Sequence, residues 1–319
     1  MAWASSRLAK LAHGDEPVAV LPRALLAEPI WTSAQEAAAM DHAVIAYQNA
    51  EEREGGRPCR VNRTVEVVNL TGPGGGGTLR YLDLDVLVAL SGVILREGAS
   101  VTVPLPRLLR RMGYASLQDV AYDAIHASLR RLATVEVRFG RSGTRGARIL
   151  QVCRLVQVGR RWTVVAQASA WWIGSLQAGH WQHLDLASYL HLRRQYPKQG
   201  LVRAMFAFLS SRRDSGGHLR VHTEEMITRF TPIRRDTGRF AFSYDNPDGP
   251  FLLALTALQR SGVVQMDAWD PEAEWWEGRL CPERAPPVDP DGVAVAIPPP
   301  PPARSTHAYR VCCQSSQTG

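Results

Sequence analysis

Apolar residues recur at three- and four-residue spacing in some stretches and alternate in others, and each change of period marks an element. Over 33–54, Ala37, Met40, Val44 and Tyr47 keep helical spacing. Ser33 can cap that helix, Glu36 follows three residues on as in a capping box, and Gly55-Gly56 stops it. The pattern predicts a helix docked by one face, with a dimer or partner contact as the other use of that face. RVNRTVEVVNL at 60–70 is β-branched and alternating, and predicts a strand. The GPGGGG run after it has no Lys-Ser/Thr to make a phosphate loop, so it reads as a flexible turn. YLDLDVLVALSGVIL over 81–95 is apolar nearly all round and predicts a buried helix, with Asp83 or Asp85 favourable at its positive N-terminal end.

The next sixty residues organise the chain. VTVPL is a short strand, 105–112 a short helix closed by Gly113, and Ser116 caps a longer helix reaching about Ala133. Leu117, Ala121, Ile125, Leu129 and Leu132 form its buried stripe, while Gln118, Tyr122, His126 and Arg130, each four apart, form the opposite face with Arg131 beside them. VEVRF, GRSGTRGAR and ILQVCRLVQV then read as a two-stranded ribbon, with Arg138, Arg141, Arg145 and Arg148 on or near its tip. Strand, helix, helix and basic ribbon is how a winged helix reads in sequence. The tract holding Trp171, Trp172 and Trp181 has few basic neighbours and reads as core or interface rather than as a base-stacking platform.

The same order returns about 120 residues later without sequence identity. Helices over 187–194 and 196–213 precede the strand HLRV, the Thr223-capped helix EEMITRF, a helix over 250–260 and the strands VVQMDAW and EWWEGRL. The predicted fold is therefore α+β, with a flexible segment at 1–32 and an N-terminal helix within 33–57. Two tandem winged-helix domains follow at 58–186 and 187–281, and then a disordered Pro-rich tail at 282–319 with an extended polyproline run at 298–302.

Composition changes this picture little. At 319 residues, with 45% hydrophobic and 21% charged positions, the chain has room for about two domains of ~150 residues. Its apolar runs fall short of the ~20 residues a membrane helix needs, the N-terminal stretch lacks the apolar segment of a secretory signal, and no membrane association is expected. Five scattered cysteines without a CxxC pair support neither a disulfide framework nor zinc, and point to a cytoplasmic location.

Charge adds more. The pI near 9.5 suits a polyanion partner. Only Lys10 and Lys198 are lysines, a skew that a GC-rich genome produces, so the distribution of charge says more than arginine identity. Residues 101–160 carry eleven Arg against Asp119, Asp123 and Glu136, a net +8 that exceeds the +7 of the whole chain. Residues 191–240 carry eleven basic residues against four acids, net +7, whereas 266–291 carry two against eight, net −6. The first wing is thus basic and the second acidic. A helix with Gln, His and Arg on its outer face suits the major groove, and a basic wing suits phosphate.

No catalytic constellation can be built. Nicking initiators hold a metal with two histidines one residue apart; His180 with His183 and His218 with His222 have other spacings, and there is no HExxH or Walker pattern. No catalytic residue, metal site or cofactor is expected.

Four stretches resemble the plasmid replication initiators of the tandem winged-helix type: YLDLDVL from Tyr81, RLLRRMGY, ASLRRLATVEVRF, and LDLASYLHLRRQYPKQGLVRAMFAFLSS opening the second half. The resemblance spans about 60–280 and rests on patterned positions. It implies a first domain that dimerises or touches part of a DNA repeat, and a second that binds repeated origin sites; monomers would initiate and dimers repress. It places Gln118, Tyr122, His126 and Arg130 of the first half towards DNA, with Arg229, Arg234, Arg235 and Arg260 of the second; Arg107, Arg110, Arg111 and Arg131 are expected at DNA as part of the same basic stretch. The implied partners are double-stranded origin DNA, host initiator and replicative helicase proteins, and a second copy of the chain. A winged-helix transcriptional repressor is the alternative, although regulators usually carry one such domain. The acidic second wing departs from the family pattern.

Overall fold

The computed structural model describes residues 6–13, 18–31, 42–52, 58–71, 77–114, 122–139, 146–230, 249–266 and 274–282. The first elements are helix α1 (Ser6–His13), strand β1 (Val18–Pro22), helix α2 (Arg23–Ala27), and strands β2 (His42–Glu52) and β3 (Pro58–Asn69). Helix α3 (Tyr81–Glu97), strand β4 (Ser100–Pro104), and helices α4 (Leu105–Arg111) and α5 (Tyr122–Thr134) come next. Four strands follow: β5 (Val135–Phe139), β6 (Gly146–Arg148), β7 (Leu150–Val158) and β8 (Arg161–Ala168). Helix α6 (Ala170–Gln177) and strand β9 (Trp181–Asp185) lead into α7 (Leu186–Gln195) and α8 (Gly200–Arg212). The last elements are β10 (His218–His222), α9 (Thr223–Phe230), α10 (Pro250–Ser261), β11 (Val264–Met266) and β12 (Trp275–Leu280).

Helix α3 is apolar on every face, and Leu84 through Leu95 are all buried. A helix of that kind must be covered all round, and it packs against β1, α5 and α8 among others. Two acids sit in its first turns, and both are buried. Asp83 accepts the Arg80 amide at 2.8 Å, which closes the helix start as a capping box, and Arg131 of α5 reaches it from the other side. Asp85, half a turn on, instead faces the second half of the chain. It accepts the Tyr189 hydroxyl at 2.8 Å and a fork from Arg203 at 2.7 and 3.0 Å.

Among the described residues the strands make four antiparallel sheets. Two of them share one order. In β4–β8–β7 and in β10–β12–β11 the first strand pairs with the last, and the last with the middle one. Each follows a helix, a strand and two helices (α3, β4, α4 and α5; α8, β10, α9 and α10), but the first hairpin, β7–β8, comes only after the inserted strands β5 and β6, whereas β11–β12 follows α10 directly. A third sheet, β2–β3–β5–β6, lies outside this scheme, and β1 pairs with β9 in a separate two-stranded ribbon.

Three expectations are corrected. The segment at 1–32 is not simply flexible: it contributes α1, α2 and the buried strand β1, which pairs with β9. Residues 42–52 are strand, not the second half of a helix over 33–54; residues 32–41 and 53–57 lie outside the described residues. Ala43, Ile45 and Tyr47 are the buried face of β2, a period of two that overlaps the helical spacing read from Val44 and Tyr47. The eleven-residue pairing with β3, from His42↔Val68 to Glu52↔Pro58, outweighs local propensity. The ribbon expected between β5 and β7 is also differently paired. β5 joins β3 and β6, whereas β7 turns straight into β8.

The tryptophans pack as expected of core. Trp172 is fully buried and Trp171 stacks on Phe139, ring centroids 5.6 Å apart. The Pro-rich tail from residue 283 and most of the glycine run lie outside the described residues.

Candidate nucleic-acid interface

Helix α5 is divided cleanly by burial. Ile125, Leu129 and Leu132 face inward, towards α3 and β7. Tyr122 (43% exposed), His126 and Arg130 point to solvent, four residues apart and hence stacked along one face. Arg130 makes no ion pair among the described residues. The exposed face read from the sequence is therefore present from Tyr122 onward; Gln118 lies outside the described residues.

Arg131 is not part of it. Its side chain is 1% exposed and grips Asp83 with two parallel bonds, Nε to Oδ2 at 2.8 Å and Nη2 to Oδ1 at 2.7 Å. It sits three residues after Ser128 and two after Leu129, both buried, so the helix turn carries it inward. Arg111 is likewise buried, its Nε donating to the Ala89 carbonyl at 3.2 Å beside Gly92, where a Cβ would strike the guanidinium. On the same helix Arg110 is exposed, and Arg107 pairs with Glu97 at 2.8 Å.

In the second half Arg229 is also internal. It binds Glu225 at 2.8 Å, donates to the Ala27 carbonyl, and lies over the rings of Tyr47 and Phe208 at 4.6 and 4.9 Å. Burial pulls its pKa down, and Glu225 pulls it back up. Arg131, Arg111 and Arg229 were expected at DNA and are instead structural. Arg260 is exposed at the end of α10; Arg234 and Arg235 lie outside the described residues.

The ribbon arginines divide as well. Arg138 stands on a central strand, bonded to Glu136 at 2.7 Å and to Glu66 at 3.6 Å, so its charge is engaged within the sheet. Arg148 is exposed on β6; Arg141 and Arg145 lie outside the described residues.

The projecting hairpin among the described residues is β7–β8. Its loop is Gly159-Arg160, and Gly159 has φ +62°, as the first central residue of a type II′ turn requires. Exposed Arg154, Arg160 and Arg161 surround two exposed apolar side chains, Val158 (61%) and Trp162 (46%). The missed signal was a glycine-led pair between alternating runs, VQV-GR-RWTV, which marks a tight hairpin better than the longer glycine- and arginine-rich stretch did. The second hairpin differs: Glu277 of β12 pairs with Arg220 at 3.4 Å, and its strands carry one acid, Glu277, against one base, Arg279, where β7 and β8 carry arginines and no acid.

The histidines assemble nothing metal-like. His222 accepts the Glu224 amide on Nδ1 at 3.3 Å and packs edge-on against Trp275, and His183 contacts Arg213. Among the described residues no group of three or more His, Cys, Asp or Glu is placed to hold a metal, and no helix is long and apolar enough to cross a membrane. Comparison with protein-family models, curated proteins and solved structures finds no match to the chain.

Proposed function

We propose that the chain is a sequence-specific, non-enzymatic DNA-binding protein of two tandem winged-helix units, acting in the cytoplasm as an initiator of plasmid replication. The observation that carries this reading is the solvent-facing row Tyr122, His126 and Arg130 on α5, combined with the arginine-bearing hairpin β7–β8 that α5 packs against. The repeated strand order, first–third–second after helix, strand, helix and helix, supports the tandem arrangement.

In this reading α5 enters the major groove. Arg130 offers a bidentate fork to a guanine edge, and Tyr122 and His126 contact the neighbouring bases. Arg154, Arg160 and Arg161 of the hairpin, with Arg110 of α4, neutralise phosphates and fix the register without reading sequence. The second unit contributes Arg260 and a less basic hairpin, so the two units hold DNA unequally. Two DNA-binding units in series favour an initiator that grips direct repeats, opens or bends the duplex, and recruits host initiator and helicase proteins. Self-association into a homodimer would restrain it.

Footprinting on the DNA upstream of its own gene tests the proposal. The expected result is protection of tandem direct repeats, lost in Arg130→Ala and shortened by Arg160→Ala/Arg161→Ala. Protection of a single palindromic operator instead would favour the transcriptional repressor. Absence of any footprint, with the protein folded, would remove the DNA reading.

A further inference from the structure

A cleft of about 560 Å³ opens where the two halves meet. Its walls come from the start of α3, from α5, from the α7–α8 turn and the start of α8, and from the start of α10. The volume falls within the ~300–1,000 Å³ of small-molecule sites, which are mostly apolar, carry a few convergent polar groups and favour unit boundaries. Here Leu82, Leu201 and Leu253 supply the apolar surface, and Leu253 is 48% exposed at the mouth.

The charge lining this cleft is unbalanced. Arg80, Arg131, Arg193, Lys198 and Arg203 line it; among the described residues Asp83 and Asp85 between them hold Arg131, Arg193 and Arg203. Asp83 is taken by Arg131. Asp85 is shared among Arg203, Arg193 at 3.4 Å and the Tyr189 hydroxyl. Lys198 stands exposed at the rim, with no ion pair among the described residues. Burial, above all, and the neighbouring Arg131 pull the Arg80 pKa down, and Asp83 pulls it back up. Like charges held together beside apolar walls favour an anion, because the interaction is stronger there than in water.

We infer that the cleft is a binding site for a small amphipathic anion. The apolar or aromatic body lies against Leu82, Leu201 and Leu253, and a carboxylate, sulfonate or phosphate is directed to the Lys198–Arg193 wall. Such a ligand touches α3 and α5 of the first half and α8 and α10 of the second, and so acts on their union. The inference stands apart from the DNA reading and survives its failure.

The test titrates the full chain with 8-anilinonaphthalene-1-sulfonate, an aromatic sulfonate, and with neutral N-phenyl-1-naphthylamine, by fluorescence and calorimetry. The expected result is one saturable sulfonate site that raises the unfolding temperature, with the neutral probe bound about tenfold more weakly. Lys198→Glu and Leu253→Glu, both at exposed positions, should each weaken the sulfonate by about tenfold or more with the probe-free unfolding temperature unchanged. Arg161→Glu, on the distant hairpin, should leave it bound as in the wild type. Equal binding of the two probes, wild-type affinity in both cleft variants, an equal loss in Arg161→Glu, or no saturable site (as when a segment of this chain already fills the cleft) would each overturn it.

Discussion

Adjacent arginines on α5 allow stability and binding to be separated. Replacing Arg131 by methionine keeps the aliphatic stem but leaves the Asp83 carboxylate buried without its two-bonded partner. Removing one member of such a buried pair costs about 3–5 kcal/mol, because the surviving charge stays desolvated. At ~2–4 °C per kcal/mol for a chain of this order of size, the unfolding midpoint should drop by roughly 6–20 °C. The remaining Arg80 amide bond to Asp83 Oδ2 keeps the effect towards the lower end. Arg130→Met, at an exposed position, should move the midpoint by no more than the ~0.5 kcal/mol typical of surface changes, while weakening cognate DNA by ~1–3 kcal/mol. The assay is thermal and urea unfolding followed by circular dichroism, with DNA titration well below both midpoints. Asp83→Asn combined with Arg131→Met should be less destabilised than Arg131→Met alone, since no buried charge is then stranded. A wild-type midpoint in Arg131→Met, together with lost DNA affinity, would return Arg131 to the interface and refute the reasoning.

Four further outcomes follow from the same geometry. Gly200→Ala would place a Cβ 2.3 Å from the Tyr81 Cβ, prying α8 from α3, and should cost ~1–3 kcal/mol in urea titration. Trp162→Ala should leave the unfolding midpoint unchanged and weaken DNA in a filter-binding assay; unchanged binding would remove the hairpin tip from the contact. Burial raises the Cys153 thiol, and burial with Asp85 raises the Tyr189 hydroxyl. Both groups hold protons in the folded state that the unfolded chain releases above its ordinary pKa values of ~8.5 and ~10, so stability should be full below pH ~8.5 and fall as pH rises through that window. Urea midpoints from pH 7 to 10.5 check this sign. Cys153 should also resist iodoacetamide until the chain is unfolded, as peptide mapping would show.

The elements that carry their own signal were legible in the chain. The apolar run of α3, the split faces of α5 and α10 and the short strands β4 and β10 follow from periodicity, and the described structure has them close to where the pattern placed them. What was not legible is pairing at a distance. Arg131 looks like the neighbour of Arg130 until Asp83, 48 residues upstream, is brought beneath it, and Arg229 reads as a free cation until the Ala27 carbonyl and Tyr47 arrive from 180 and more residues away. The same holds for β2, whose helical spacing is real but loses to β3, and for β5, which leaves β7 for another sheet. A polar residue one step off a buried stripe gives no sign in sequence of whether it snorkels outward or finds an acid inside.

The β1–β9 ribbon has a consequence for synthesis. All five residues of β1, VAVLP, are buried, yet Val18 pairs with Asp185 and Pro22 with Trp181. At ~5–20 residues per second, the partner strand leaves the ribosome roughly 8–30 s after β1 does. For that interval the nascent chain displays an apolar strand with an open edge, the kind of segment that holdase chaperones retain and that pairs wrongly between crowded polysomes. Slow codons upstream of residue 181 would lengthen the exposure, and a permuted chain that begins near residue 170 would pass the wait to β9, whose sequence WQHLD is less apolar.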